Sequence, residues 1–231
     1  MRIGIICAIP NELRHFDLTE NSIQKIGERT FYKGTHDKHE LILVQSGLGK
    51  VNAAVVSTLL IEKFNCEFLL FSGVAGGIDP GIEIGEVIIG DSLIQYDYGT
   101  LKNREMLPFR PGSIPTGESK NEIEYRLATK IKRKIKASLP NIRMGKILTG
   151  DVYLQCEETK KELFKKYGAQ AIDMEGAAVV QVAEQFGIPS VVVRCLSDMA
   201  GEDSQINHPK FLNKAAKRSF NTAQKILNML L

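Results

Sequence analysis

The feature that most limits what this chain can become is an alternation. Short runs that are apolar on both faces are separated by longer segments in which apolar residues recur every three or four positions. Residues 2–8, 41–45, 68–72, 86–89, 145–148, 169–173 and 190–195 read as strands, and runs of that kind are buried between helical layers. The intervening pattern is helical. In 50–64 it places Val51, Ala54, Val55, Thr58 and Leu59 on one stripe. In 176–186 it aligns Val179, Val182, Ala183 and Phe186, and Gly187-Ile188-Pro189 stops it. Residues 209–230 repeat it through Leu212, Ala215, Ala216, Phe220, Ala223, Ile226, Leu227 and Leu230. Strands alternating with such helices point to the α/β class. No repeat and no linker divides the 231 residues, so one domain over 1–231 is expected.

Two segments fit less simply. Residues 120–138 are periodic through Ile123, Leu127, Ile131 and Ile135, and the opposite face carries Arg126, Lys130, Lys132, Arg133, Lys134 and Lys136. No aromatic or Asn/Gln readers are interleaved, which favours a solvated helix surface over a polyanion site. Residues 100–117 lack a period and hold Pro108, Pro111, Pro115, Gly112 and Gly117, as a lid or interface arm would. The balance of 30 Lys+Arg against 27 Asp+Glu leaves a formal charge of +3, too mild a bias to imply a nucleic-acid or anionic-membrane partner. No apolar run approaches the roughly 18 residues of a membrane span. The opening run passes at once into Pro10-Asn11-Glu12 and reads as a first strand, not a signal. Cys7, Cys66, Cys156 and Cys195 form no Cys-x-x-Cys pair and read as reduced thiols of a cytoplasmic protein.

Candidate chemistry gathers at strand ends, where open α/β sheets bind their ligands. Glu12 follows the first strand; it is either a general base or a first-turn acid favoured by a helix dipole. Ser72-Gly73-Val74-Ala75-Gly76-Gly77 suggests a tight turn after a strand, but its spacing matches neither a dinucleotide nor a P-loop fingerprint. Asp173 and Glu175 flank Met174 where a strand gives way to a helix. Their side chains share one side of an extended backbone, and a carboxylate there can accept both hydroxyls of a ribose diol. Capping of the following helix by Asp173 is the alternative. Arg194 and Asp198 end a strand apolar enough to be central, where unpaired charge is costly, and a buried acid at such a place suits proton delivery. His36 and His39 read as a polar hairpin turn without a third metal ligand, His15 reads as a surface residue, and Ser72 lacks a nucleophile elbow.

Taken in order, Arg2-Ile3-Gly4-Ile5-Ile6 with Ala8 and Glu12, Ser46-Gly47-Leu48-Gly49-Lys50-Val51-Asn52-Ala53-Ala54, Gly73-Val74-Ala75-Gly76-Gly77, Thr149-Gly150-Asp151, Asp173-Met174-Glu175-Gly176-Ala177 and Val193-Arg194-Cys195-Leu196-Ser197-Asp198 resemble the nucleoside phosphorylase/nucleosidase superfamily. Within it the chain is similar to the 5′-methylthioadenosine/S-adenosylhomocysteine nucleosidases, almost end to end. The resemblance implies a three-layer α/β/α sandwich around a twisted mixed β-sheet. It also implies a homodimer, an adenine-nucleoside substrate, and hydrolysis of an N-glycosidic bond with no metal and no organic cofactor. It makes Asp198 the acid that protonates N7 of adenine and Glu12 the carboxylate that activates water. Glu175 would bind the ribose hydroxyls and Met174 would pack beneath the ribose. Tyr153 and Leu154 would hold the adenine, the Tyr153 ring by stacking, and Arg194 and Ser197 would orient the acid's surroundings.

Some positions depart from that pattern. Val74 stands where the family often has a serine near the water, and Asp173 is one methylene shorter than the usual glutamate. Asn207-His208-Pro209 replaces a segment that commonly supplies an aromatic over the 5′ substituent, leaving His208 to cover it. A phosphorylase of the same fold would need an arginine and a serine where Phe71 and Val74 stand. Neither side chain can hydrogen-bond a phosphate, so water is the expected nucleophile. A hydrolase of another purine nucleoside and a binder without catalysis are the other readings, the latter opposed by the presence of both Glu12 and Asp198.

Overall fold

The computed structural model describes residues 1–117 and 122–230. In chain order its elements are β1 (Arg2–Cys7), α1 (Pro10–Leu13), β2 (Thr19–Ile26), β3 (Arg29–His36), β4 (His39–Gln45), α2 (Lys50–Glu62), β5 (Phe68–Gly77), β6 (Val87–Gln95), β7 (Gly99–Lys102), β8 (Glu105–Pro108), β9 (Tyr125–Arg126), α3 (Thr129–Ser138), β10 (Arg143–Thr149), α4 (Glu157–Tyr167), β11 (Ala171–Asp173), α5 (Gly176–Gln185), β12 (Ser190–Asp198) and α6 (Ser204–Met229).

The main sheet runs β11-β10-β6-β12-β5-β1-β4-β3-β2, with β9 against β6. It is mixed: β1 is parallel to β4 and β5, and β12 is parallel to β5 but antiparallel to β6. β11 is parallel to β10 and also antiparallel to the far end of β5. The circuit β5-β12-β6-β10-β11 therefore closes on itself, and β5 touches both its ends. Helices cover both faces. Ala53, Val56 and Leu60 of α2 and Ala177, Val179 and Ala183 of α5 pack with Ile6, Phe71 and Val192 of the sheet. On the other face Ile131 and Ile135 of α3 and Ala223, Ile226 and Leu227 of α6 pack with Ile5, Leu70 and Val193. Adjacent residues of β1, β5 and β12 thus feed opposite cores, which is why their sequences are apolar throughout.

Several expectations are revised. The glycines of 72–77 do not form a turn: β5 continues through Gly77, and Gly73, Gly76 and Gly77 have no positive φ. Residues 100–117 do not form one irregular loop: β7 and β8 make a hairpin whose turn residues, Asn103 and Arg104, both have positive φ. Residues 122–138 do not form one helix. Leu93 pairs with Tyr125, whose ring is buried beneath the Arg110 guanidinium, and the helix starts only at Thr129. Residues 120 and 121 of that expectation lie outside the described residues. α6 begins at Ser204 and runs through Pro209, which has no N–H to give the Gln205 carbonyl. The basic face of α3 is solvated as expected, with Lys132 paired to Asp91 at 2.6 Å.

Among the described residues no helix is long and apolar enough to cross a membrane, and no group of His, Cys, Asp or Glu is placed to hold a metal. All four cysteines are free thiols. Burial pushes Cys66 and Cys195 up to about 12 and Cys7 well above its ordinary value.

Candidate active site

A cavity of about 280 Å³ opens at the carboxyl ends of β1, β5 and β12. Ala8, Glu12, Val74, Tyr153, Leu154, Asp173, Met174, Glu175, Ser197, Asp198 and His208 all line it, so every expected site residue except Arg194 reaches it. Arg194 lies behind its wall, fully buried.

Glu12 is delivered by α1, the single helical turn after β1. Its Oε2 accepts the N–H groups of Ala8 at 2.7 Å and Ile9 at 3.2 Å, and its Oε1 accepts the N–H of Val74 at 2.9 Å. Burial raises its pKa, while Arg194 and the N–H donors pull it back. The N–H donors fix the carboxylate at the mouth of β5, a placement that a merely dipole-favoured, solvated first-turn acid would not have.

Arg194 organises the acidic half of the pocket. Its Nε donates to Asp173 Oδ2 at 2.8 Å, its Nη2 to Glu175 Oε2 at 3.4 Å, and its flat face lies 3.8 Å from the Phe71 ring centroid. Burial works against its charge, but Asp173, Glu175 and Glu12 outweigh that and raise its pKa. Nη1 is buried without a hydrogen-bond partner, over Gly73. A Cβ at Gly73 would collide with that nitrogen and sit 2.5 Å from Glu12 Oε1. The glycine serves close packing of charged groups, not chain reversal.

Asp173 and Glu175 do face the same way, toward Arg194, but they are used differently. The Asp173 carboxylate accepts the Thr149 hydroxyl at 2.6 Å and the Gly176 N–H at 3.1 Å, so the capping alternative matches its contacts. Glu175 accepts the Gly49 N–H at 2.9 Å, from a glycine at φ +93° that opens α2. Burial lifts its pKa to about 7, with Arg194 lowering and Asp173 raising it.

At the other end of the cavity the β5–β12 ladder shifts register between Leu196 and Asp198. Asp198 Oδ1 accepts the Ala200 N–H at 2.8 Å, and Oδ2 accepts the Ser197 hydroxyl at 3.0 Å. His208 Nδ1 lies 2.9 Å from Ser197 Oγ and 3.5 Å from Asp198 Oδ2. The Tyr153 ring stands edge-on to His208 at 6.1 Å, and its hydroxyl, pushed up to about 12 by burial and by Asp198, donates to the Ser204 carbonyl.

Other candidates fall outside the cavity. Ser72 bonds Ser219 beneath β5. His36 and His39 are register partners in the β3–β4 hairpin, as expected. His15 packs against Phe220 instead of lying free on the surface. Sequence reasoning missed Ile9, Leu48, Ala75, Gly76, Val152, Ile172 and Ala200, apolar or backbone contributors to the wall. Leu48 and Gly76 stand inside motifs already singled out, but an apolar side chain carries no chemical signature of its own.

A closed α/β circuit with two buried carboxylates, Glu12 and Asp198, lining one small cavity fits a nucleosidase, an enzyme that hydrolyses an N-glycosidic bond. The family model described as "Phosphorylase superfamily" matches residues 2–228, and the chain belongs to that superfamily. It is 36% identical to the 5′-methylthioadenosine/S-adenosylhomocysteine nucleosidase of Mycobacterium bovis, over 99% of this chain and 97% of that one. It is 34% identical to the aminodeoxyfutalosine nucleosidase of Campylobacter jejuni over the full length of both. Among solved structures, the S-adenosylhomocysteine nucleosidase of Streptococcus pyogenes in complex with 5-methylthiotubericidin superposes with a TM-score of 0.89 at 31% identity, covering 100% of this chain and 98% of that one.

Proposed function

We propose that the protein hydrolyses 5′-methylthioadenosine and/or S-adenosylhomocysteine to adenine and the 5′-thio-substituted ribose. The observation that carries this is the placement of Glu12 and Asp198 in one cavity whose lining includes no lysine or arginine to hold a phosphate. Phe71 lies under Arg194, and Val74 contributes only its N–H, already given to Glu12.

Asp198 donates a proton to N7 of the purine and makes it a neutral leaving group. Glu12 takes a proton from the water that attacks C1′, and its raised pKa makes it a stronger base than a solvated carboxylate. Charge developing on the sugar is oxocarbenium-like, and the buried carboxylates stabilise it. Glu175 accepts the ribose hydroxyls, Met174 packs beneath the ring, Tyr153 stacks on the base and Leu154 closes its edge. Asp173 acts through Arg194 and Thr149. His208 covers the 5′ end. The single domain over 1–231 works as a homodimer. Its contact is supported by exposed Val51 and Val55 on α2 and by Leu48, Val152 and Tyr153, exposed beside the cavity. The free thiols support a reducing, cytoplasmic setting.

A second reading rests on the Campylobacter relative and on His208, which makes the 5′ end of the pocket more polar than an aromatic residue would. Incubation with methylthioadenosine, S-adenosylhomocysteine and aminodeoxyfutalosine, each with and without inorganic phosphate, separates the readings. Adenine and the free 5-thio-substituted ribose, formed independently of phosphate, are expected from the two thio-nucleosides. A sugar 1-phosphate formed only with phosphate would overturn the hydrolase, and turnover of aminodeoxyfutalosine alone would favour the second substrate.

A further inference from the structure

We propose that His208 is a positioning residue that reloads the acid, returning a proton from solvent to Asp198 through the Ser197 hydroxyl after each turnover. This rests on the reading of Asp198 as the proton donor.

The need follows from the reaction's proton count. As the C1′–N bond breaks, the Asp198 proton goes to the leaving base. Water's oxygen bonds C1′, and water's proton goes to Glu12. The cycle ends with Asp198 ionised and Glu12 protonated, so Glu12 must lose a proton to solvent and Asp198 must regain one. Asp198 lines the cavity but its side chain is only 3% exposed, so a hydrogen-bonded route to solvent would speed the return. One of its oxygens is held by the Ala200 N–H, and the other faces Ser197.

Ser197 and His208 supply the missing connection. A hydroxyl has one hydrogen and two lone pairs, so it can accept from an imidazole N–H while donating to a carboxylate. Ser197 Oγ lies 2.9 Å from His208 Nδ1 and 3.0 Å from Asp198 Oδ2, the spacing for both bonds at once. The His208 side chain is 28% exposed, so of these three groups it alone reaches the cavity mouth. A proton binds at Nε2, the Nδ1 proton passes to Ser197 Oγ, and the Ser197 proton passes to Asp198 Oδ2. The neutral ring then returns to its starting tautomer by exchange with water. The other titratable groups of the cavity are engaged elsewhere. The Tyr153 hydroxyl donates to the Ser204 carbonyl, Glu12 accepts backbone N–H groups, Glu175 lies against Gly49 and Arg194, and Asp173 accepts from Thr149, Gly176 and Arg194. Among the described residues no other titratable side chain is bonded to Asp198.

The test compares the unaltered protein with His208→Phe, His208→Ala and Ser197→Ala in dilute, non-imidazole buffer, then with imidazole added. His208→Phe keeps an aromatic wall without a proton carrier. It should hold KM within a few-fold while kcat falls at least about tenfold. His208→Ala should fall similarly and recover as imidazole is added. Ser197→Ala should lose a comparable factor, and the double variant Ser197→Ala/His208→Phe should fall no further than the worse single one, since both act in one path. His208→Phe with unchanged kcat, or His208→Ala indifferent to imidazole with only KM raised, would overturn the relay and leave His208 as pocket wall. If the unaltered protein releases no adenine from any of the nucleosides, the hydrolase reading itself falls and the relay with it.

Discussion

Gly73 and Arg194 are register partners on the parallel strands β5 and β12, and the guanidinium of one fills the space where the other has no side chain. Gly73 is not in the left-handed region, so its backbone would accept alanine. The obstacle is contact alone. Gly73→Ala should force Arg194 and Glu12 apart, costing about 1–3 kcal/mol by overpacking and removing most hydrolysis. Thermal melting beside a turnover assay checks both, and an alanine variant with full activity would mean the guanidinium has room to move.

Asp198→Asn removes the proton donor while keeping an oxygen for the Ala200 N–H. Adenine release should slow by at least about a thousandfold, with melting temperature and nucleoside affinity little changed. Comparable kcat in this variant would show that some other group protonates the base.

Glu12→Gln should behave differently from a simple loss of charge. The carboxylate accepts N–H groups on both of its oxygens, whereas an amide has only one acceptor. One N–H therefore meets another, at a cost of about 1–2 kcal/mol, set against relief of a buried charge. Hydrolysis should fall by roughly a hundredfold or more while nucleoside binding persists. Calorimetric binding alongside single-turnover rates separates these effects, and full turnover would return Glu12 to the role of a helix-start acid.

Glu175 should set activity and stability against each other. Its folded pKa of about 7 lies above the ordinary 4.5. The folded state therefore binds the proton more tightly than the unfolded chain does. The stability this confers is fully present below about pH 4.5 and is lost as pH rises through 7. At pH 8 the ionised carboxylate costs folding on the order of 3 kcal/mol. Glu175→Gln should thus melt higher than the unaltered protein at pH 8, with the difference closing by pH 4.5, while hydrolysis is lost for want of a ribose acceptor. Melting curves at pH 4.5, 6 and 8 decide the matter. A variant that melts lower at pH 8 would show that the Arg194 ion pair outweighs the burial.

How much of this was legible in the sequence depends on where each residue's environment is set. Core strands such as β1 and β12 announce themselves because both faces are buried, and Arg194 and Asp198 stand out against so much valine. The β2–β3 hairpin escaped notice because its strands are half-exposed and mostly polar, with Phe31 the buried anchor of β3. The β7–β8 hairpin was hidden because its turn uses Asn103-Arg104 in place of the glycine that usually marks such turns. The glycines of β5 were visible, but their purpose was not. It lies in side chains from α1 and β12, far away in sequence, and no local pattern reports a neighbour across a sheet. Asp173 reads equally as a ribose ligand or a helix cap from the sequence, because the partners that engage it, Thr149, Gly176 and Arg194, include two that are distant along the chain.

The register shift between Leu196 and Asp198 has a consequence for heredity. On a regular strand, consecutive side chains point to opposite faces, so Ser197 and Asp198 could not both enter one cavity, as they do. One surplus residue in the ladder lets them. Insertion or deletion of a single residue between 190 and 198 would reverse the faces of the residues beyond it and swing the acid out of the pocket. In this stretch the number of residues is an inherited trait as much as their kind.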